Sequence, residues 1–406
     1  MSATRVVQSA ALDNAAAQLA AARILPPAGF AEAQEAIAGW PGYERSPLVE
    51  LPALARRLGL GTVHVKDEAG RFGLGSFKSL GGAYAVYLLL ARAVAEARGV
   101  TPSAAELMTG SHRELTAAVT VTCTTDGNHG RSVAWGARAL GCRCVIYLHE
   151  GVSAGREEAI RAYGAEIVRA GATYDDSTRI CAADAERNGW RVVSDTATEG
   201  APQPVVDIMQ GYRVVAEEIR RQLPPGEPPT HVFLQVGCGG FAAAITAHLL
   251  SWLEDDAPTV VAVEPERAAC LADSIEAGRP TVVGGDLETL MAGLSVGEVS
   301  WPAWEILAPA TAAVVVIPDR AAEEAMRLLA GAPGGDRPIV SGESGAAGLA
   351  GLQAVVADDA ARDALGLDQT SRVLLISTEG ATDEAIYERI VGRSAESVAG
   401  APVPSH

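Results

Sequence analysis

Short apolar runs alternate with helical periodicities along most of the chain. Thr62–Val65, Val119–Cys123, Cys144–Leu148, Glu166–Val168, Arg191–Ser194, Val232–Val236, Val260–Val263, Ala312–Ile317 and Val373–Ile376 read as strands. Between them, Ala83–Arg98, His129–Leu140, Ala154–Tyr163, Asp175–Arg187, Asp207–Gln222, a segment reaching Leu253, Ala268–Glu276, Arg320–Leu329 and Ser344–Ala357 repeat their apolar residues at helical spacing. Alternating strands and helices predict a parallel sheet covered on both faces. Residues 1–45 read as irregular, with a helical patch Ala10–Leu25 ended by Pro26-Pro27. Leu51–Leu58 reads as a short helix, with Pro52 tolerated in its first turn. Residues 100–118 read as a surface connection, and Pro224–Pro229 is the clearest linker-like break. No fixed-period repeat and no low-complexity tract interrupts the pattern.

Ligands of open α/β sheets bind at the carboxyl ends of the strands. Four chemically loaded segments fall there. The first is the loop Gly70–Ala83, whose Lys78 stands in a glycine-rich frame at the start of a helix. A merely solvated lysine is disfavoured at that place by the helix dipole. The second is Thr124–Gly130, where Asp126 or Asn128 could cap the next helix, and where helix-terminal amides would suit a carboxylate. The third, Gly237-Cys238-Gly239-Gly240-Phe241-Ala242, lies between a strand and a helix and makes a phosphate cradle. It fits a dinucleotide, with Glu264 ending the next strand, or a single phosphate monoester, and such short glycine motifs also occur in plain turns. The fourth is Ser377–Gly380. The lysine weighs for the monoester, because pyridoxal 5'-phosphate needs an amine for its Schiff base and a dinucleotide does not.

Composition narrows the picture. The chain has 406 residues, 48% hydrophobic and 20% charged, which suits one large core or two lobes. A net charge of -18 argues against nucleic-acid binding. Six cysteines make no disulfide framework, Cys142-Arg143-Cys144 reads as core, and no Cys/His spacing points to a metal. The first residues carry no signal-peptide pattern and no apolar run approaches the length of a membrane span, so a cytoplasmic protein with no membrane partner is expected.

The loaded segments together resemble fold-type II pyridoxal-phosphate enzymes. The runs Arg71–Leu74, Phe77-Lys78, Leu80–Ala85, Thr125–Arg131, Tyr174–Asp176, Asp195–Ala197, Ile208–Tyr212, Met291–Leu294, Ser341–Ala346 and Ser377–Gly380 resemble the diaminopropionate ammonia-lyase family, in order, over about residues 35–390. The resemblance implies two open twisted, mostly parallel sheets with helices on both faces. It implies a large cofactor-binding domain from residues 1–83 and 201–406, a small α/β domain from residues 84–200, and the cofactor in the cleft between them.

It also implies roles. Lys78 would be the Schiff-base lysine and a base at Cα, and Asp126 an acid/base on the opposite face. Phe77, Asn128, Gly237, Cys238, Gly239, Gly240, Phe241, Glu343, Ser377 and Thr378 would hold the cofactor. Asn128 would meet its O3', Gly237–Phe241 its phosphate, and Ser377 or Thr378 the pyridine nitrogen. Thr125, Asp126, Gly127, His129, Asp195 and Ser344 would lie on the substrate side, with Asp195 recognising a distal amine and His129 structural rather than a base. The implied reaction is α,β-elimination of ammonia from D- or L-2,3-diaminopropionate to pyruvate, by a homodimer. The chain departs from the family at Thr198, Ala201 and Gln203, where aromatic residues and a lysine are usual. Elimination or replacement at another β-substituted amino acid is therefore the alternative. A nucleotide-linked oxidoreductase or a silent amino-acid-binding protein stands behind it.

Overall fold

Runs of Val, Ile and Leu with few interruptions make strands that can be buried on both faces. The computed structural model describes residues 5–125, 127–200 and 203–401. It contains eleven strands: β1 (Arg5–Gln8), β2 (Leu48–Glu50), β3 (Thr62–Asp67), β4 (Thr120–Thr124), β5 (Arg143–Leu148), β6 (Glu166–Arg169), β7 (Arg191–Val192), β8 (His231–Gln235), β9 (Thr259–Pro265), β10 (Thr311–Ile317) and β11 (Arg372–Ser377). They form two sheets, in two compact units.

The first unit comprises Met1–Ile24, Arg45–Ser76 and Val215–His406. Its sheet has the order β1-β10-β9-β8-β11-β3-β2. The five inner strands run parallel, and β1 and β2 pair antiparallel at the two edges. Strands β8 and β9 are buried along nearly their whole length, and their side chains join a core with Val63, Val65, Val315, Val373 and Leu375.

An ion cluster lies inside this unit. Lys66 Nζ donates to Glu218 Oε2, Gln222 Oε1 and the Ser46 carbonyl, each at 2.7 Å. Arg71 holds Glu68 through Nε and Nη2, both at 2.8 Å, and Glu218 through Nη1 at 2.9 Å and Nη2 at 2.7 Å. These four charged side chains are at most 3% exposed. Two cations face two carboxylates, which is how charges survive burial.

The second unit comprises Leu25–Glu44 and Phe77–Val214. Its sheet has the order β6-β5-β4-β7, all parallel. The helix Ser79–Arg98 is long and apolar enough to cross a membrane, yet it is a core helix with twelve buried residues. It crosses the helix Asn128–Leu140 closely, because a Cβ on Gly136 would stand 2.7 Å from the Ala83 Cα.

Several expectations needed adjustment. The helical patch is the helix Asn14–Ile24, which does end before Pro26-Pro27, but Pro27 then opens a second helix, Pro27–Ala38, since proline suits the first helical position. The connection 100–118 contains the helices Ala104–Met108 and Arg113–Thr116. The edge strands β1 and β2 were not expected, being four and three residues long, too short to show a period.

Candidate active site

The lysine lies in the second unit. Lys78 immediately precedes the helix Ser79–Arg98. Its carbonyl accepts the Ser132 hydroxyl at 2.8 Å, and Ser132 Oγ accepts the N–H of Ala83 at 3.1 Å, which fixes the first turn. Lys78 Nζ donates to Asp195 Oδ2 at 2.7 Å. The two side chains are 18% and 15% exposed, so the pair is sheltered yet reachable. Nζ also stands 5.6 Å from the centre of the Phe77 ring, which packs edge-on to Tyr212 at 4.7 Å.

Buried His129 places Nε2 at 2.7 Å from the Val193 carbonyl. A carbonyl can only accept, so Nε2 carries the hydrogen and Nδ1 faces Asp195 Oδ2 at 3.7 Å. Burial lowers the His129 pKa despite the carboxylate beside it. Burial alone would raise Asp195, but the His129 ring and the Lys78 ammonium hold its carboxyl well below the usual range. Lys78, Asp195 and His129 thus form one group, with Thr125 and Gly127 on the loop leading to the His129 helix and Asn128 its first residue. Thr125 Oγ1 accepts the N–H of both Gly127 and Gly130 at 3.0 Å and so ties down the first turn of this helix. Asp126 lies outside the described residues. Of the three departures, Thr198 and Gln203 are exposed and Ala201 also lies outside them.

The glycine loop lies in the first unit. The 14-residue helix Gly240–Leu253 starts on Gly239, at φ +86°, with no side-chain cap. A Cβ there would come within 3.0 Å of the Ala303 Cβ, so conformation and space both require glycine. The loop is pinned from outside. Cys238 O accepts Ser300 N–H at 2.9 Å, and the Cys270 thiol reaches Gly237 O at 3.6 Å. Uncapped helix amides beside a glycine turn form an anion cradle.

At the end of β11, Ser377 donates to Ser341 Oγ at 2.8 Å, and Thr378 Oγ1 accepts from Gln235 Nε2 at 2.9 Å. Ser344 Oγ accepts Gly293 N–H at 3.0 Å, its own N–H donates to Glu379 Oε1 at 3.1 Å, and Glu343 is buried beside it. Glu264 is fully buried and accepts the N–H of Leu271 and Ala272, both at 2.8 Å. It anchors the helix Cys270–Ala277 and does not reach a ribose, which removes the second half of a dinucleotide fingerprint. Sequence reading missed Gln235 and the ion cluster. The one hint was a polar residue ending an otherwise apolar strand.

Residues 40–379 match the family described as pyridoxal-phosphate dependent enzyme. The chain is 41% identical over 365 residues to the diaminopropionate ammonia-lyase of Salmonella typhimurium, covering 87% of this chain and 90% of that one. It is similar to the holo diaminopropionate ammonia lyase of Escherichia coli, with a TM-score of 0.87 and 35% identity over 98% of both chains. The Escherichia coli enzyme in complex with D-serine matches with a TM-score of 0.87 and 34% identity over 98% of this chain and 99% of that one. The residues present fit the cofactor part by part: the uncapped cradle at Gly239 suits a phosphate, the sheltered Lys78 amine an aldehyde, and the buried hydroxyl of Thr378 a ring nitrogen. The chain is a pyridoxal-phosphate enzyme of fold type II and belongs to the diaminopropionate ammonia-lyase family.

Proposed function

We propose that the chain eliminates ammonia from 2,3-diaminopropionate and yields pyruvate and a second ammonia. The observation that carries this reading is the 2.7 Å ion pair of Lys78 with Asp195, a sheltered carboxylate already fitted to a primary ammonium. With Lys78 holding the cofactor aldehyde, Asp195 would be left to receive the substrate's distal ammonium. Bound pyridoxal phosphate supplies the electron sink at Cα. Lys78 would remove the Cα proton of the L-isomer, and Asp126 that of the D-isomer. The Cβ–N bond then breaks with its electron pair passing to nitrogen, so the ammonium already held at Asp195 departs as neutral ammonia. The released enamine hydrolyses to pyruvate and ammonia. Asn128 would donate to the cofactor's phenolate oxygen. A homodimer in the cytoplasm completes the proposal, and light scattering tests it against the monomer mass of 41.8 kDa.

The deciding experiment measures ammonia and pyruvate released by the holoenzyme from D- and L-2,3-diaminopropionate, with borohydride fixation and peptide mapping of the modified lysine. Turnover of at least one isomer and modification at Lys78 are expected. Slow turnover of both isomers, with fast turnover of another β-substituted amino acid, would move the chain to the dehydratase or replacement reaction. A lack of modification at Lys78 would remove the cofactor role given to that residue.

A further inference from the structure

Gln235 ends β8, the strand between β9 and β11, and is 4% exposed. Its Nε2 stands 2.9 Å from the Ile376 carbonyl, 3.3 Å from the Gly345 carbonyl and 2.9 Å from Thr378 Oγ1. Carbonyl oxygens only accept, so this end of the side chain is the NH2 group and the amide has one possible orientation. An NH2 group has no lone pair to offer a hydroxyl. Toward Gln235, Thr378 Oγ1 can therefore only accept, and its own hydrogen must point elsewhere. Among the described residues, none accepts it.

Ser377 is differently placed, since its hydroxyl has Ser341 Oγ at 2.8 Å and the Glu379 carbonyl at 3.3 Å. Of the two hydroxyls at the end of β11, Thr378 is the one with a hydrogen to give. The arrangement has a cost on the other side of the amide. Gln235 Oε1 is buried and meets no donor among the described residues, a defect that an apolar side chain of similar size would avoid. A glutamine chosen for packing or stability would not be left half satisfied.

We infer that Gln235 is a positioning residue that locks the Thr378 hydroxyl as a hydrogen-bond donor toward the pyridine nitrogen of the cofactor. A nitrogen that accepts a hydrogen bond stays unprotonated, and an unprotonated ring is a weaker electron sink. Charge at Cα is then relieved by loss of the β-substituent rather than by reprotonation on the cofactor, so one second-layer amide sets elimination over transamination. The inference rests on the proposed function for the identity of the bound ring.

The test uses holoenzyme reconstituted with pyridoxal phosphate labelled with 15N in the ring, in wild type and in Gln235→Glu. A carboxylate at position 235 accepts where the amide donated, so the Thr378 hydroxyl must turn its hydrogen inward and its lone pair toward the ring. The expected result is a 15N resonance moved toward the protonated pyridinium value, with a roughly tenfold rise in transamination per elimination event. An unmoved resonance in a variant that still takes borohydride at Lys78 would overturn the inference. Should Gln235→Glu fail to fold, Gln235→Met and Thr378→Val are read instead: each withdraws the enforced donor, the resonance is expected to leave its wild-type position, and no movement in either overturns the inference. Absence of borohydride modification at Lys78 in wild type would instead count against the cofactor reading on which the inference stands, and so separates the two failures.

Discussion

At the scale of single residues, the site turns on where charges sit before substrate arrives. Asp195 keeps its proton off because His129 and Lys78 surround it, and that position is the natural seat for a second ammonium. Asp195→Asn is expected to lower kcat/KM for diaminopropionate roughly a hundredfold, the worth of a charge-assisted hydrogen bond, while Lys78 still takes borohydride. Steady-state assays and peptide mapping check both parts. The same carboxyl links stability to pH. Its folded-state pKa lies below its unfolded value of about 3.9, so its contribution is complete above that value and lost as pH falls below it. Urea midpoints of wild type and Asp195→Asn are expected to differ at pH 7 and to converge below about pH 4. Asp126→Asn is expected to reduce turnover of the D-isomer roughly a hundredfold and of the L-isomer only a few-fold, as for removal of a general base from one face; equal losses would refute a base on each face. Lys78 and the glycine loop were legible in the sequence because each carries its chemistry locally. The Lys78–Asp195 contact was not, since 117 residues separate the partners. Nor was the task of Gln235, whose meaning lies in the direction of a hydroxyl at the end of the neighbouring strand.

At the scale of elements, helices and inner strands followed from apolar period alone, whereas the ion cluster of Lys66, Glu68, Arg71 and Glu218 could not. Its members sit on β3, on the turn after it and on the helix Val205–Gln222, and only folding makes them one object. Arg71 and Lys66 overcome the upward effect of burial on Glu218 and keep it charged. Glu218→Leu leaves both cations short of a partner and is expected to destabilise the fold by about 3–5 kcal/mol, read from the urea midpoint. The crossing of Ser79–Arg98 with Asn128–Leu140 makes a different demand. Gly136→Ala drives a methyl group against the Ala83 backbone, which cannot step aside as a flexible side chain would. A loss of about 1–3 kcal/mol is expected in thermal unfolding, although alanine is the better helix former.

At the scale of the whole molecule, the alternation of strands and helices announced parallel sheets, but strand order was beyond it. Alternation fixes neighbours in sequence, and here β11, the last strand, lies between β8 and β3. The two edges of the seven-stranded sheet are short antiparallel strands, a common way to blunt an edge. Removing residues 1–9 would expose the unpaired face of β10 and is expected to raise light scattering on incubation well before activity falls.

The central place of β11 also bears on how the protein is made. A ribosome delivers β3 first and β8 more than 160 residues later, yet the strand that joins them arrives only with Arg372–Ser377. Until then the nascent chain holds a sheet with a gap at its middle and two open strand edges lining it. Closure waits for that strand, which makes the interval before it emerges the vulnerable one for this chain. A chain cut before Arg372 is not a smaller enzyme but two strand edges with nothing between them.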